Sequence, residues 1–402
     1  VASYDYKAIR PGGEIIEGSI TAKDRAEVME MLREKEYRPV KIEETKEAQS
    51  VDVLQAFARV KIKDIAIFCR QFYTMLHSGI SIIQCLDILR QQFDNVKLRG
   101  IIGEVYDQVQ KGSSLSESMR MHKEVFPELL MNMIEAGEAS GNLDVILQRM
   151  AEHYEKDTKL KRKITGAMIY PIVLASVMVI VVIGLITFVM PTFIGMFTGS
   201  GVELPAPTRI LLAISNFLTS YWYIVLGVLI VAIYLFRRSL KTENGRHAFD
   251  KFKLKVPIFK NVTIRVATTR FARTLSTLLS SGIPLLSAME ITSRVVGNKV
   301  VERAIMNVRE DVRKGFDLAS PIKRTKLFPP MVDSMIKIGE ESGSLDDVLR
   351  KTADFYDDEV DAAISKMTSL MEPLLIVVMA VVIGAVVISI ALPMFTMFDT
   401  IS

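Results

Sequence analysis

Two glutamates in a doubled polar element raise the first question of chemistry. Glu138 stands in Gly137-Glu138-Ala139-Ser140-Gly141-Asn142-Leu143-Asp144, and Glu340 in Gly339-Glu340-Glu341-Ser342-Gly343-Ser344-Leu345-Asp346. Helix-turn-helix geometry accounts for most of each element. Gly137 or Gly141 ends one helix, Ser140 or Asn142 caps the next, and Asp144 faces the positive end of the helix dipole. Caps alone do not require Glu138 or Glu340, so a second reading makes this turn a surface for a partner protein. Other chemistry is thinly represented. His77, His122, His153 and His247 are scattered, no His-Glu-x-x-His or Gly-x-Ser-x-Gly occurs, and no Gly is followed by Lys, which excludes a P-loop of the Gly-x-x-x-x-Gly-Lys type. Glu152, Glu155 and Asp157 offer carboxylates to a hard cation such as Ca²⁺, but no ligand loop of defined spacing accompanies them. The expectation is a protein that is not an enzyme and has no catalytic residue, cofactor or resident metal.

The doubled turn belongs to a larger duplication. Phe68-Cys69-Arg70-Gln71-Phe72 through Ser78-Gly79-Ile80 returns as Phe271-Ala272-Arg273-Thr274-Leu275 through Ser281-Gly282-Ile283. Lys111-Gly112 returns as Lys314-Gly315 and Phe126-Pro127 as Phe328-Pro329; Ala151, Tyr154, Pro171 and Pro191 are answered by Ala353, Tyr356, Pro373 and Pro393. Such a frame implies two copies of one folding unit. In the first copy Asp64 is expected to cap a helix with Ile65, Phe68, Phe72, Met75 and Leu76 on one face, ended by Gly79. Phe271, Leu275, Leu278 and Leu279 repeat that face before Gly282. Pro127 and Pro329 suit a first helical turn. Each unit reads as six helices, the last starting near Leu143 or Leu345 and running straight into an apolar stretch.

At 402 residues, 50% apolar and with mean hydropathy +0.28, the chain reads as a membrane protein. No charged side chain occurs from Gly166 to Val202, from Ile210 to Phe236 or from Pro373 to Phe398. Each run exceeds the roughly 20 residues that cross a hydrocarbon core. Spans are expected near 168–194, 213–236 and 373–397. Lys159, Lys161, Arg162 and Lys163 precede the first, and Arg237, Arg238 and Lys241 follow the second, so the positive-inside rule puts 1–165 and 238–370 in the cytoplasm. With no signal-peptide pattern before Lys23, the amino terminus is expected in the cytoplasm and the carboxyl terminus outside. The middle span has no counterpart in the duplication; it returns the chain to the first side. Tyr221-Trp222-Tyr223 suits an interfacial belt near its outer end. Cys69 and Cys85 read as reduced packing residues, and the net charge of +4, gathered beside the membrane, fits lipid headgroups better than nucleic acid.

The expected organisation is a small α/β module at 1–45, a linker at 46–60, a first helical repeat at 61–165, spans at 166–198 and 210–236 around an external loop at 199–209, a connector at 237–263, a second repeat at 264–370, and a third span with an external end at 371–402. In the amino-terminal module Tyr4 to Ala8 and Glu14 to Ile20 alternate as strands around Gly12-Gly13. Thr21 is expected to cap a helix reaching Lys35, and Pro39 to Ile42 to close the sheet. Asp354, Asp357, Asp358, Glu359 and Asp361 form an acidic stripe, where Lys156 answers Asp358 and Lys159 answers Asp361 in the first copy. Two readings stand: a solvated acidic face, or a stripe that meets the other copy within or between protomers. Pro171 and Pro373, with Pro191 and Pro393, imply either packed kinks or hinges between the helical domains and the membrane.

Ser-Gly-Ile before a second helix, Phe-Pro, Gly-Glu-x-Ser-Gly-x-Leu and a single span after each copy together resemble the GspF/PilC family of type II secretion and type IV pilus platform proteins. The resemblance extends to the amino-terminal module through Tyr6, Ala8, Gly18 and Ile20. It implies an all-α membrane protein built from a tandem duplication of a six-helix cytoplasmic bundle, with three transmembrane helices and a small amino-terminal α/β module. It also implies a non-catalytic homo-oligomeric platform in the bacterial inner membrane, alongside other inner-membrane components. Its partners by resemblance are a cytoplasmic hexameric assembly ATPase and pilin or pseudopilin. Gly137, Glu138, Gly141, Gly339, Glu340 and Gly343 are then the expected coupling contacts, and Pro171 and Pro373 the expected hinges. An oligomeric small-molecule transporter or a membrane scaffold is the competing class. Three spans form a pathway only by oligomerising, and the spans hold none of the charges that ion-coupled transport needs.

Overall fold

The computed structural model describes residues 2–9, 15–22, 25–34, 37–45, 59–192 and 205–401. The expected turn at Gly12-Gly13, nearly all of the 46–60 linker and most of the 199–209 loop lie outside them.

Strands β1 (Ala2–Ile9), β2 (Ile15–Ala22) and β3 (Arg38–Thr45) form an antiparallel sheet in the order β2-β1-β3. Alternation puts Tyr4, Tyr6 and Ala8 of the central strand on one face, where they pack with Val28 and Leu32 of α1 (Arg25–Glu34) and with Ile42. Thr21 is not a helix cap. It lies within β2 opposite Ser3, and the helix starts at Arg25. Strand pairing takes the backbone of Thr21, so a residue suited to capping by type alone is extended here.

The first repeat comprises α2 (Ile62–His77), α3 (Ile82–Gln92), α4 (Val96–Gln110), α5 (Leu115–Arg120), α6 (Glu128–Ser140) and α7 (Leu143–Gly184). Helix α2 starts one turn earlier than Asp64 suggests. Lys61 is the N-cap residue, and Asp64 reaches back to accept from the Lys61 backbone N–H at 2.9 Å. Ile65, Phe68 and Phe72 are buried as their spacing requires, and Gly79 follows at φ 85°.

The second repeat comprises α10 (Pro257–Ser280), α11 (Leu285–Val295), α12 (Lys299–Arg313), α13 (Ala319–Thr325), α14 (Pro330–Ser342) and α15 (Leu345–Ile401). Helix α10 starts at Pro257, inside the stretch read as a connector, and α9 (Glu243–Lys255) precedes it. Pro127 and Pro329 are the N-cap residues of α6 and α14. One apolar core runs through both repeats, from Phe68, Phe72 and Phe126 to Phe271, Leu275 and Ile336. Truncating a large core side chain of this kind to Ala typically costs about 3–5 kcal/mol.

Among the described residues three helices are long and apolar enough to cross a membrane, which makes this a multi-pass membrane protein. Helix α7 passes through a π-helical turn (Leu185–Val189) on its way to Thr192, α8 spans Ala206–Ser239, and α15 is continuous over 57 residues. Each repeat thus hands its last helix directly to a span. Helices α7 and α15 lie side by side and parallel, since Lys156 meets Asp354 and Lys163 meets Asp361. A second apolar cluster of Leu160, Val262, Val360, Ile364 and Met367 joins α7, α10 and α15 where they approach the membrane. The three spans bury little of one another, and their apolar side chains face outward as lipid requires.

Candidate functional site

The doubled Gly-Glu-x-Ser-Gly element forms the turn between α6 and α7 and, in the second repeat, between α14 and α15. Gly141 and Gly343 adopt φ of 72° and 66° and close the preceding helix; the N–H of Asn142 and of Ser344 bonds back to the carbonyl of Gly137 and of Gly339 at 3.0 Å. Gly137 and Gly339 serve close packing instead. A Cβ on Gly137 would lie 2.9 Å from Ile146 Cγ1, and one on Gly339 would lie 2.9 Å from the Leu345 Cα. Ser140 is not a cap for α7, because its hydroxyl donates to the Ala136 carbonyl at 2.8 Å, and Asn142 makes no side-chain cap bond.

Glu138 and Glu340 turn inward. The Glu138 carboxylate accepts from the backbone N–H groups of Leu115 (2.6 Å) and Ser116 (3.0 Å) and from the Ser116 hydroxyl. Glu340 accepts from the N–H groups of Leu318 (2.6 Å) and Ala319 (3.1 Å). Each therefore adds a negative charge from another helix at the amino end of the short helix α5 or α13, beside the local groups Ser114 and Glu117 in the first and Asp317 in the second. Capping does require these glutamates; the cap they form is tertiary. The exposed tip of each turn is made by its neighbours, Ala139 to Asn142 and Glu341 to Gly343.

The acidic stripe is largely a paired seam. Asp354 meets Lys156 at 2.6 Å, Asp361 meets Lys163, Asp357 meets Arg273, and Glu359 meets Arg265 at 2.9 Å. Lys156 is paired one turn before the Asp358 that its sequence counterpart suggests, and Asp361 is held by Lys163 instead of Lys159. Equivalent residues of α7 and α15 are thus displaced along the helix axes by about 6 Å, four residues of rise. Arg270 of α10 bonds Asp157 of α7 at 2.9 Å, and Arg294 of α11 meets Glu128 of α6 at 2.8 Å, so both are also pairs between repeats. The carboxylates considered for a cation go to separate partners: Glu155 to Arg70, Asp157 to Arg270, and Glu152 to Gln148. No cluster of metal-ligating side chains occurs among the described residues.

His153 sits between the repeats, 6% exposed and edge-on to Tyr154. Burial pushes its imidazole down to about pKa 4; Asp157 opposes that shift, and Arg273 and Arg270 add to it. Burial likewise pushes the Cys69 thiol far up and the Cys85 thiol up, and both cysteines are free.

The prolines reveal an arrangement that the sequence reading missed. Pro191 has no N–H for the carbonyl of Ile186, and the chain ahead of it widens into the π-helical turn in which Met190 bonds Leu185. Ser215 of α8 donates to the Ile186 carbonyl at 2.7 Å. Pro393 likewise leaves the Ser389 carbonyl without its helical donor, and Thr208 of α8 donates to it at 2.6 Å. Both hydroxyls are buried. The unduplicated span therefore mends both repeated spans at equivalent breaks. For Ser215 a hydroxyl inside an apolar run was the available signal; Thr208 lies just before that run, beside Arg209. Pro171 is buried within α7 and Pro373 exposed on α15, each inside one continuous helix.

Comparison with known proteins accounts for the same duplication. Residues 68–191 and 271–393 both match the family described as type II secretion system (T2SS), protein F, and residues 1–43 match the type II secretion system protein F, N-terminal domain. The chain is 38% identical to the type IV pilus assembly protein PilC of Myxococcus xanthus over 400 residues, covering 100% of this chain and 96% of the relative. It is 38% identical to PilC of Thermus thermophilus over 402 residues, covering 99% of each. Against the type II secretion system protein F of Vibrio cholerae it is 34% identical over 405 residues, covering 100% of each. With two copies of one domain, each leading into a membrane span, and an amino-terminal module of the matching kind, the chain belongs to the type II secretion system protein F family, within which it is most like PilC.

Proposed function

We propose that this protein is a non-enzymatic platform in the bacterial inner membrane, serving a type IV pilus or type II secretion machine. It couples a hexameric cytoplasmic assembly ATPase to the insertion of pilin or pseudopilin subunits into a growing fibre, as a homo-oligomer beside other inner-membrane components. The names of the relatives, pilus assembly protein and type II secretion system protein, support the machine. The observation that carries the coupling is continuity: α7 and α15 leave the helical repeats and become spans without a break in chain direction. Pushing either repeat therefore moves a membrane helix, and the ion-paired seam makes the two move together.

In this reading the amino terminus and both repeats lie in the cytoplasm and the carboxyl terminus outside. The doubled turns are the coupling contacts. Gly137, Glu138 and Gly141, with Gly339, Glu340 and Gly343, hold the shape of each turn, and the exposed tip residues meet the ATPase. Pro171 and Pro373 act as hinges at the membrane boundary.

The test is cross-linking mass spectrometry on tagged protein taken from its native membrane. Links from residues near both turns to a hexameric ATPase, and from the spans to a pilin-like subunit, are the expected result. An intact oligomer with neither set of links would overturn the coupling and return the transporter and scaffold classes. Pro171→Ala and Pro373→Ala should abolish fibre assembly with expression intact; normal assembly in both would remove the hinges.

A further inference from the structure

Where α7, α10 and α15 approach the membrane, a cavity of about 500 Å³ opens between them and α9. Its walls are mostly apolar, formed by Ile164, Met168, Phe252, Phe259, Val266 and Met367. Ile164 and Met168 straddle the start of the charge-free run of α7, and Met367 lies shortly before that of α15, so the cavity sits at the depth where acyl chains meet headgroups. Helix α9 is held at that depth. It starts just after the end of α8, and its Phe249 ring packs on Phe236 of that span at 5.7 Å. Phe252 of α9 is 57% exposed on the cavity side, an arrangement typical of a basic helix lying in a membrane interface.

The polar groups at the cavity are unequal. Asp250 is 3% exposed and engaged within the protein, accepting from the Lys299 N–H at 3.0 Å and from Lys253 Nζ at 3.3 Å. Arg270 gives Nε and one Nη to Asp157 and sets its other Nη against Gly297. Lys253, stacked on Phe249 at 4.3 Å, is the cation nearest to being available, with Lys251, Lys255 and Lys260 exposed nearby on the chain. The geometry points to a binding site for one anionic phospholipid, an acyl chain in the cavity and its phosphate group at Lys253. The bilayer supplies apolar chains beside the opening, and a lysine at the membrane surface selects among headgroups by about five-fold.

The test uses the full chain with Trp222→Phe and Phe252→Trp, so that the single tryptophan stands at the cavity. The protein is reconstituted in phosphatidylcholine vesicles with graded amounts of brominated-chain phosphatidylglycerol or brominated-chain phosphatidylcholine. Quenching by the anionic lipid should half-saturate at an about five-fold lower mole fraction than quenching by the zwitterionic one. Lys253→Glu should erase that difference, and Lys251→Glu, the same charge change on a residue outside the lining, should keep it. Val266→Phe, which narrows the cavity without touching charge, should weaken quenching by both lipids. Equal half-saturation for the two headgroups overturns the proposal, as does the same response from Lys253→Glu and Lys251→Glu. Absence of quenching by either lipid also overturns it and assigns the cavity to a protein segment.

Discussion

The two repeats share a skeleton and differ in what faces across it. Arg70 bonds Glu155 in the first and Arg273 bonds Asp357 in the second, at equivalent places, and both turns pair a packed glycine with a left-handed one. Yet Arg70 is 37% exposed at its side chain and Arg273 only 9%. The difference comes from α10, which starts earlier than α2 and lays Val262, Arg265 and Arg270 against the other long helices. His153 of the first repeat is buried, whereas its counterpart Phe355 is exposed. The geometry inside each unit is shared, and the outer charges differ in a way that lets one copy fit the other.

The sharpest way to break this correspondence is at the packed glycines. Gly339→Ala should cost about 3 kcal/mol and Gly137→Ala somewhat less, because the added methyl lies 2.9 Å from a backbone Cα in the second repeat and 2.9 Å from the inner Cγ1 of Ile146 in the first, where the nearest backbone atom is 3.3 Å away. Thermal unfolding of the two variants in detergent checks the order. The His153 asymmetry comes next. Its folded pKa of about 4 lies below the unfolded value of 6.5, so the unfolded chain binds the proton first as pH falls. Stability should hold above pH 6.5 and decline by up to about 3 kcal/mol toward pH 4. Unfolding midpoints measured across that window should flatten in His153→Phe, which copies the second repeat.

Smaller effects sharpen the comparison. Glu138→Gln should cost about 2 kcal/mol and Glu340→Gln somewhat less, since the first carboxylate holds three donors and the second two. Ser116→Ala should bring the two costs together in denaturant titrations. Ser215→Ala and Thr208→Val should each cost about 1 kcal/mol, the usual scale for a hydroxyl bond between membrane helices. Equal losses would show that α8 serves both repeated spans alike. The smallest effect is at the seam: Lys156→Glu should cost under about 1 kcal/mol at low salt, and adding Asp354→Lys should restore it. Repeating that cycle at high salt should remove the difference.

Much of the architecture was legible in the sequence because it is local or repeated. The duplication, three apolar runs, the left-handed glycines and the two long final helices all leave signals within a few residues. The glutamates were not legible in the same way. Glu138 meets donors more than twenty positions upstream, and nothing in the spacing says that α5 will lie beside α6. Charge inversion between the copies was visible at Lys156 and Lys159, but the partner of each acid depends on how two helices slide along each other. Their offset of one turn moved the pairs to Asp354 and Lys163. Thr21 misled for the opposite reason, since a good capping residue was taken by strand pairing with Ser3.

The length of α15 has a mechanical consequence. At about 1.5 Å per residue, 57 residues make a rod about 85 Å long. A fulcrum near Met367, where the last apolar cluster grips the helix, leaves arms of about 33 Å and 51 Å. Tilting the shorter arm by 3 Å swings the far tip by about 5 Å, close to the rise of one helical turn. Any bend at Pro373, six residues beyond that fulcrum, subtracts from the step, so the amplification belongs to the helix only while it turns as one rod.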